Sequence, residues 1–162
     1  MVYKIKIWID GGCRGNGNIN AIGAAAAISI DPYEKEEAWQ FMPSNRLRPV
    51  TNQRAELLAV IIALQQAWAK CESLDDNPWL DVEIHTDSRF VIGCMTNWIE
   101  KWSRNGWTNS MGCPVVNQDL IKRTYELQMR LKEEGNVEYT WVPRGENVEA
   151  DGLCNKLMDK HS

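Results

Sequence analysis

The five cysteines, Cys13, Cys71, Cys94, Cys113 and Cys154, are odd in number and contain no CxxC pair. That spacing indicates neither a disulfide framework nor a zinc site, so free thiols are expected. No apolar run is long enough to cross a bilayer, and the start lacks the apolar stretch of a signal peptide. A cytoplasmic protein is expected, with the nucleus as the alternative, and no membrane contact. Repeats, low-complexity tracts and linkers are also missing, and 162 residues suit a single domain over 1–162. The chain has no basic excess: its formal net charge is −4, which argues weakly against a nucleic-acid partner.

Four acidic residues stand out against this background. Asp10 ends an apolar run and opens a glycine-rich turn (IWIDGGCRGNG), and Asp87 ends a second apolar run (VEIHTDSRF). Glu56 lies one turn into a helix (TNQRAELLAV), and Asp151 lies early in a C-terminal helical stretch (NVEADGLCN). A carboxylate at the end of a buried strand is costly unless its charge is offset. Two such strand ends and two helix-borne acids suggest a shared divalent-metal site, since magnesium takes carboxylates, water and phosphates as ligands. Without these four acids the formal charge is zero, so overall charge does not decide the partner.

Alternation predicts strands over 3–9, 21–30, 36–42, 80–86 and 136–142. The glycines from Gly11 to Gly17 predict a turn, and the alanines of 21–30 could let another element approach closely. Helices are expected over 52–70, with Thr51 or Asn52 as cap, and over 88–103, where Gly93 is a weak point. Further helices are expected over 117–133 and 147–159. Hairpin strands followed by alternating units imply an α/β fold, a mixed sheet with helices on its faces.

Taken together, the IDGGCRGNG turn, the TNQRAE helix start, the HTDS strand end, TNWIEKW with NGW, and WVPRGENVEAD resemble type 1 ribonuclease H across almost the whole chain. The resemblance is to the catalytic domain of cellular ribonuclease H1. It implies a five-stranded mixed sheet in order 3-2-1-4-5 flanked by helices. It also implies an endonuclease that hydrolyses the RNA strand of RNA–DNA hybrids, leaving 5′-phosphate and 3′-hydroxyl ends. Asp10, Glu56, Asp87 and Asp151 would be catalytic, holding two Mg2+ ions, with Mn2+ as an alternative metal.

The same resemblance places Cys13, Gly15, Asn16, Asn52 and Gln53 along the RNA strand, where the 2′-hydroxyl separates RNA from DNA. Asn52 also suits a helix cap. Thr51 and Asn117 match a pocket for a DNA phosphate, with Arg48 as third member. Arg48 lies three residues before Thr51 where eukaryotic forms have two, so Arg46 competes for the role. Asn117 equally suits an N-cap. Trp98, Trp102 and Ser110 match the DNA channel of the family's handle, whose charge here is modest because Glu100 offsets Lys101 or Arg104. Trp107 reads as structural.

One family feature is missing. Most cellular members carry a histidine in the loop before the last acid, and WVPRGENVEAD is shorter and has none. His85 reads as a sheet residue, and His161 is expected to fray. Arg144 and Glu146 are the substitutes at hand, the first for a phosphate and the second for a metal. A weak or silent hybrid-binding module is the alternative reading, and a monomer is expected.

Overall fold

The structure, a computed structural model, describes residues 1–161. Strand β1 (Val2–Arg14) buries Tyr3, Ile5, Ile7 and Ile9 on one face, as its alternation predicts. It pairs antiparallel with β2 (Ile22–Ile30), which pairs antiparallel with β3 (Lys35–Met42). On its other side β1 runs parallel to β4 (Trp79–Thr86), and β4 runs parallel to β5 (Gly135–Trp141). The order is β3-β2-β1-β4-β5, as the family resemblance implies.

Helix α1 (Asn52–Ser73) crosses one face of the sheet and is apolar nearly all round, because α4 (Gln118–Lys132) covers its outer side. Helix α5 (Val148–Lys160) covers the opposite face over β1 and β2. The alanine run of β2 serves both layers. Ala25 and Ala27 belong to the α1 core, while Ala24 and Ala26 pack with Cys154 and Met158 of α5. No helix among the described residues is long and apolar enough to cross a membrane.

The stretch expected as one helix over 88–103 is three pieces. Helix α2 (Arg89–Gly93) passes through a π-helical turn at Cys94–Trp98 into α3 (Ile99–Arg104). The wider turn brings Trp98 back over Gly93, where an added Cβ would lie 2.8 Å from the indole. Gly93 is thus a seat for Trp98 rather than only a weak point.

Strand β1 also continues past its expected end, because Asp10–Arg14 stay paired with β2. Gly11 makes this possible: a Cβ there would collide with the backbone of Ala55 and Glu56. The absent side chain lets the strand end touch α1 directly. Gly11→Ala is therefore expected to lower stability by about 3 kcal/mol through overpacking against rigid backbone, read as a fall in the thermal midpoint.

Candidate active site

Parallel pairing of β1 and β4 has its last rung at Ile9 and Thr86. Asp10 and Asp87 each follow that rung, which brings the two residues to the same end of neighbouring strands. Glu56 comes from α1 at the Gly11 contact, and Asp151 from the first turn of α5. All four carboxylates line one cavity of 300 Å³, with Gly12, Cys13, Asn52 and Arg144 also in its wall.

Burial pushes the Asp10 carboxyl up from near 3.8 to about 8, helped by the charges of Asp87 and Asp151, a hydrogen bond with Asp151, and the charge of Glu56. Burial also raises Glu56; the Asp87 charge adds to this, while the Ser88 hydroxyl and the Arg144 charge oppose it. Ser88 Oγ donates to Glu56 Oε2 at 2.7 Å and accepts from the Val91 amide at 3.1 Å, using one hydroxyl for an orienting bond and a helix cap. Asn155 Nδ2 donates to Asp151 Oδ2 at 3.4 Å, and Arg144 Nε stands 3.7 Å from Asp87 Oδ2. Trp141 Nε1 donates to the Asp87 carbonyl at 3.2 Å.

Among the described residues, no group of three or more His, Cys, Asp or Glu side chains stands at metal-cage spacing. A cation that keeps several of its waters does not require one. The donors are all hard oxygens around a polar cavity, and burial, with repulsion from its neighbours, suppresses the charge of Asp10. A divalent cation would relieve that repulsion, so the residues present fit one.

The loop substitutes separate. Arg144 reaches the acidic cavity, whereas Glu146 lines a different cavity of 270 Å³ with Trp8, Ile28 and Glu149. His85 stacks on Trp8 at 4.7 Å between ring centroids, in keeping with a sheet role. The His161 ring stacks on Phe41 at 3.9 Å between centroids.

Around the cavity the expected nucleic-acid residues form three groups. In the first, Asn16 Oδ1 accepts from the Asn52 amide at 2.8 Å, and the Cys13 thiol donates to the Val50 carbonyl at 3.4 Å, so the turn holding Gly15 is pinned to the entry of α1. Thr51, not Asn52, caps α1, accepting from the Arg54 amide at 3.2 Å. Gln53 leans the other way, its Oε1 being 3.5 Å from Asn117 Nδ2.

In the second group, Arg48, Thr51 and Asn117 line a cleft of 590 Å³ together with Arg54, Asp119 and Lys122. Asn117 occupies the N-cap position of α4 with φ 63°, but its side chain makes no capping bond; Oδ1 accepts from Arg54 Nη1 at 3.2 Å instead. Arg54 and Asp119 are absent from the sequence-based set. Arg54 sits inside the TNQRAE segment, but two residues from Glu56 it points to the opposite side of α1, and only the packing of α4 gives that side a purpose.

In the third group, Trp98, Trp102 and Ser110 share a cavity of 390 Å³ with Lys101, Asn105 and Thr108. The two indoles are 5.8 Å apart and tilted by 41°. Trp107 instead sets its edge on Tyr125 at 6.0 Å beneath Lys122, a packing role.

The Asp10 shift carries a pH signature in the metal-free protein. The folded carboxyl keeps its proton to about pH 8, whereas the unfolded chain loses it near 3.8. The folded state therefore binds the extra proton, and stability falls as pH rises from about 4 to about 8. Asp10→Asn is expected to stabilise the metal-free fold, by on the order of 2 kcal/mol at pH 9 and by much less at pH 4. Denaturation curves in EDTA at the two pH values check this; an equal effect at both would contradict it.

The RNase H family model matches residues 3–160. A ribonuclease H of Erythrobacter litoralis is 32% identical over 163 aligned residues, covering 98% of this chain and 99% of that one. In fold, the chain is similar to LC9-RNase H1, described as a type 1 RNase H with the type 2 active-site motif, with TM-score 0.75, 21% identity, and coverage of 100% of this chain and 75% of that one. It is also similar to part of a foamy viral protease-reverse transcriptase in complex with RNA/DNA hybrid, with TM-score 0.69, 18% identity, and coverage of 95% of this chain and 20% of that one. With the family model spanning nearly every residue and a relative of this identity matched along its full length, the chain belongs to the ribonuclease H family.

Proposed function

We propose that this ribonuclease H cuts the RNA strand of RNA–DNA hybrids internally, by a two-metal hydrolysis that leaves 5′-phosphate and 3′-hydroxyl ends. The observation that carries this reading is the convergence of Asp10, Glu56, Asp87 and Asp151 on one cavity. Two divalent ions, magnesium or manganese, would supply an activated water and stabilise the departing 3′-oxygen. Asp10 would face both ions, Glu56 and Asp87 one, and Asp151 the other. Ser88 fixes the Glu56 carboxylate for that task through its 2.7 Å bond.

The RNA strand would lie along Cys13, Gly15, Asn16 and Asn52, beside the acids. Asn and Gln side chains offer both donors and acceptors to 2′-hydroxyls. Gln53 would stand between the strands, because it reaches toward Asn117. The DNA strand would pass from the Arg48, Thr51 and Asn117 cleft to the Trp98, Trp102 and Ser110 cavity. The Thr51 hydroxyl accepts the capping bond through a lone pair and so keeps its hydrogen for a phosphate.

In place of the missing loop histidine, Arg144 is the better substitute. Its side chain is 87% exposed, stands at the cavity mouth near Asp87, and can meet a phosphate there. Glu146 faces away.

End-labelled RNA in a hybrid, incubated with magnesium, manganese or EDTA, tests the reading beside RNA alone, double-stranded RNA and double-stranded DNA. Metal-dependent internal cuts confined to the hybrid RNA are expected. Hybrid binding without cleavage would instead establish a silent binding module. Arg144→Ala is expected to slow hybrid cleavage by about tenfold, as loss of an exposed cationic contact to a reacting phosphate. Glu146→Gln is expected to leave the rate within about twofold, since a surface change away from the reacting groups costs little.

A further inference from the structure

The cleft expected to hold a DNA phosphate already contains an anion. Asp119, in the first turn of α4, accepts from Arg54 Nη1 through Oδ1 at 3.0 Å and from Arg54 Nη2 through Oδ2 at 2.7 Å. Its Oδ2 also accepts from Arg48 Nη1 at 2.6 Å. One carboxylate thus occupies both guanidinium groups of the cleft, in the two-pronged geometry that arginine uses for phosphate.

The two arginines are not equivalent. The Arg54 side chain is 13% exposed, is gripped at both ends of its fork, and receives further support from Asn117 Oδ1. The Arg48 side chain is 58% exposed, comes from a loop, and touches Asp119 through one nitrogen. Arg54 is a fixed base and Arg48 a loose arm. The charges also leave room for an incoming anion. Two guanidiniums against one carboxylate leave one positive charge, and Lys122 in the same lining adds a second.

We propose that Asp119 is an affinity-setting residue of the DNA-strand cleft: its carboxylate stands in for a phosphate in the free protein, and Arg48 leaves it for the DNA phosphate when the duplex docks. Arg54 stays with Asp119 throughout and holds it in register. Every docking event then gives up an existing ion pair to make the new one, so the DNA grip is weaker than the charge of the cleft alone would make it. This rests on the hybrid-nuclease reading, which fixes the anion as a backbone phosphate of the DNA strand.

The test is equilibrium binding of a fluorescent RNA–DNA hybrid by the full chain, with calcium in place of magnesium, over a range of salt concentrations. Asp119→Asn is expected to tighten binding about threefold and to leave the slope of log affinity against log salt unchanged, because Arg48 meets the phosphate in both proteins and no longer has an ion pair to give up. Arg48→Met is expected to weaken binding about threefold and to flatten the slope by about one. In the double variant the gain from Asp119→Asn disappears. A purely structural Asp119 would lower the thermal midpoint and bring no gain in affinity, and that result overturns the proposal. So does a gain from Asp119→Asn that persists without Arg48. Should Asp119→Asn fail to fold, Arg48→Met keeps the Arg54 pair and still decides, since an unchanged slope removes the exchange. Magnesium-dependent cleavage by the parent protein is measured separately. Its absence would end the nuclease reading while leaving the binding comparison intact, and a parent that does not bind the hybrid overturns both.

Discussion

The parallel pairing of β1 with β4 is the constraint on which the site depends. It ends both strands at the same level, so Asp10 and Asp87 follow one shared rung and both line the same cavity. Like charges in a half-buried cavity are costly, and the surroundings are arranged around that cost. Asn147, itself buried, donates from Nδ2 to the Ile9 carbonyl at 2.7 Å, and the Cys154 thiol donates to the Asp10 carbonyl at 3.3 Å. Both fix the backbone at the strand end from the α5 side, while the missing side chain of Gly11 fixes it from the α1 side. With the backbone under Asp10 held from both sides, a proton or a cation is the direct route to relief.

Positive charge around the site is mostly committed before any ligand arrives. Arg54 and Arg48 meet Asp119, Arg14 meets Asp159 at 2.7 Å, and Arg144 lies beside Asp87. This is how a chain with a formal net charge of −4 can face a polyanion. Under the proposed reading, attraction would come from a few placed guanidinium groups and from any cation the acids gather, not from a broad basic surface.

Much of this was legible in the sequence. Period-two alternation located β1, β4 and β5, and the four acids stood out because each closes or opens an element with a clear pattern. What stayed hidden depends on contacts between elements. The continuation of β1 through Asp10–Arg14 is invisible locally, because glycines usually mark turns and only the approach of α1 explains Gly11. The π-helical turn at Cys94–Trp98 leaves no periodic signal, since one wide turn is too short to shift the pattern. Arg54 and Asp119 lie far apart in sequence and acquire meaning only when α4 packs on α1. Arg144 and Glu146 are two residues apart, yet a single 3-10 turn, Arg144–Glu146, sends them to different cavities.

The small side chains of β2 have a wider consequence. One strand separates two helices that carry catalytic-type acids, Glu56 on α1 and Asp151 on α5, and it presents alanine to both. The strand therefore works as a shim: its thickness, set by methyl groups at Ala24 and Ala26 on one side and Ala25 and Ala27 on the other, fixes how far apart the two helix-borne carboxylates are held. Residues that never see solvent or substrate thereby gauge the width of the acidic cavity. The spacing of the helix-borne acids is in this sense written in the middle of the sheet, on the strand where Ala26 pairs with Asp10.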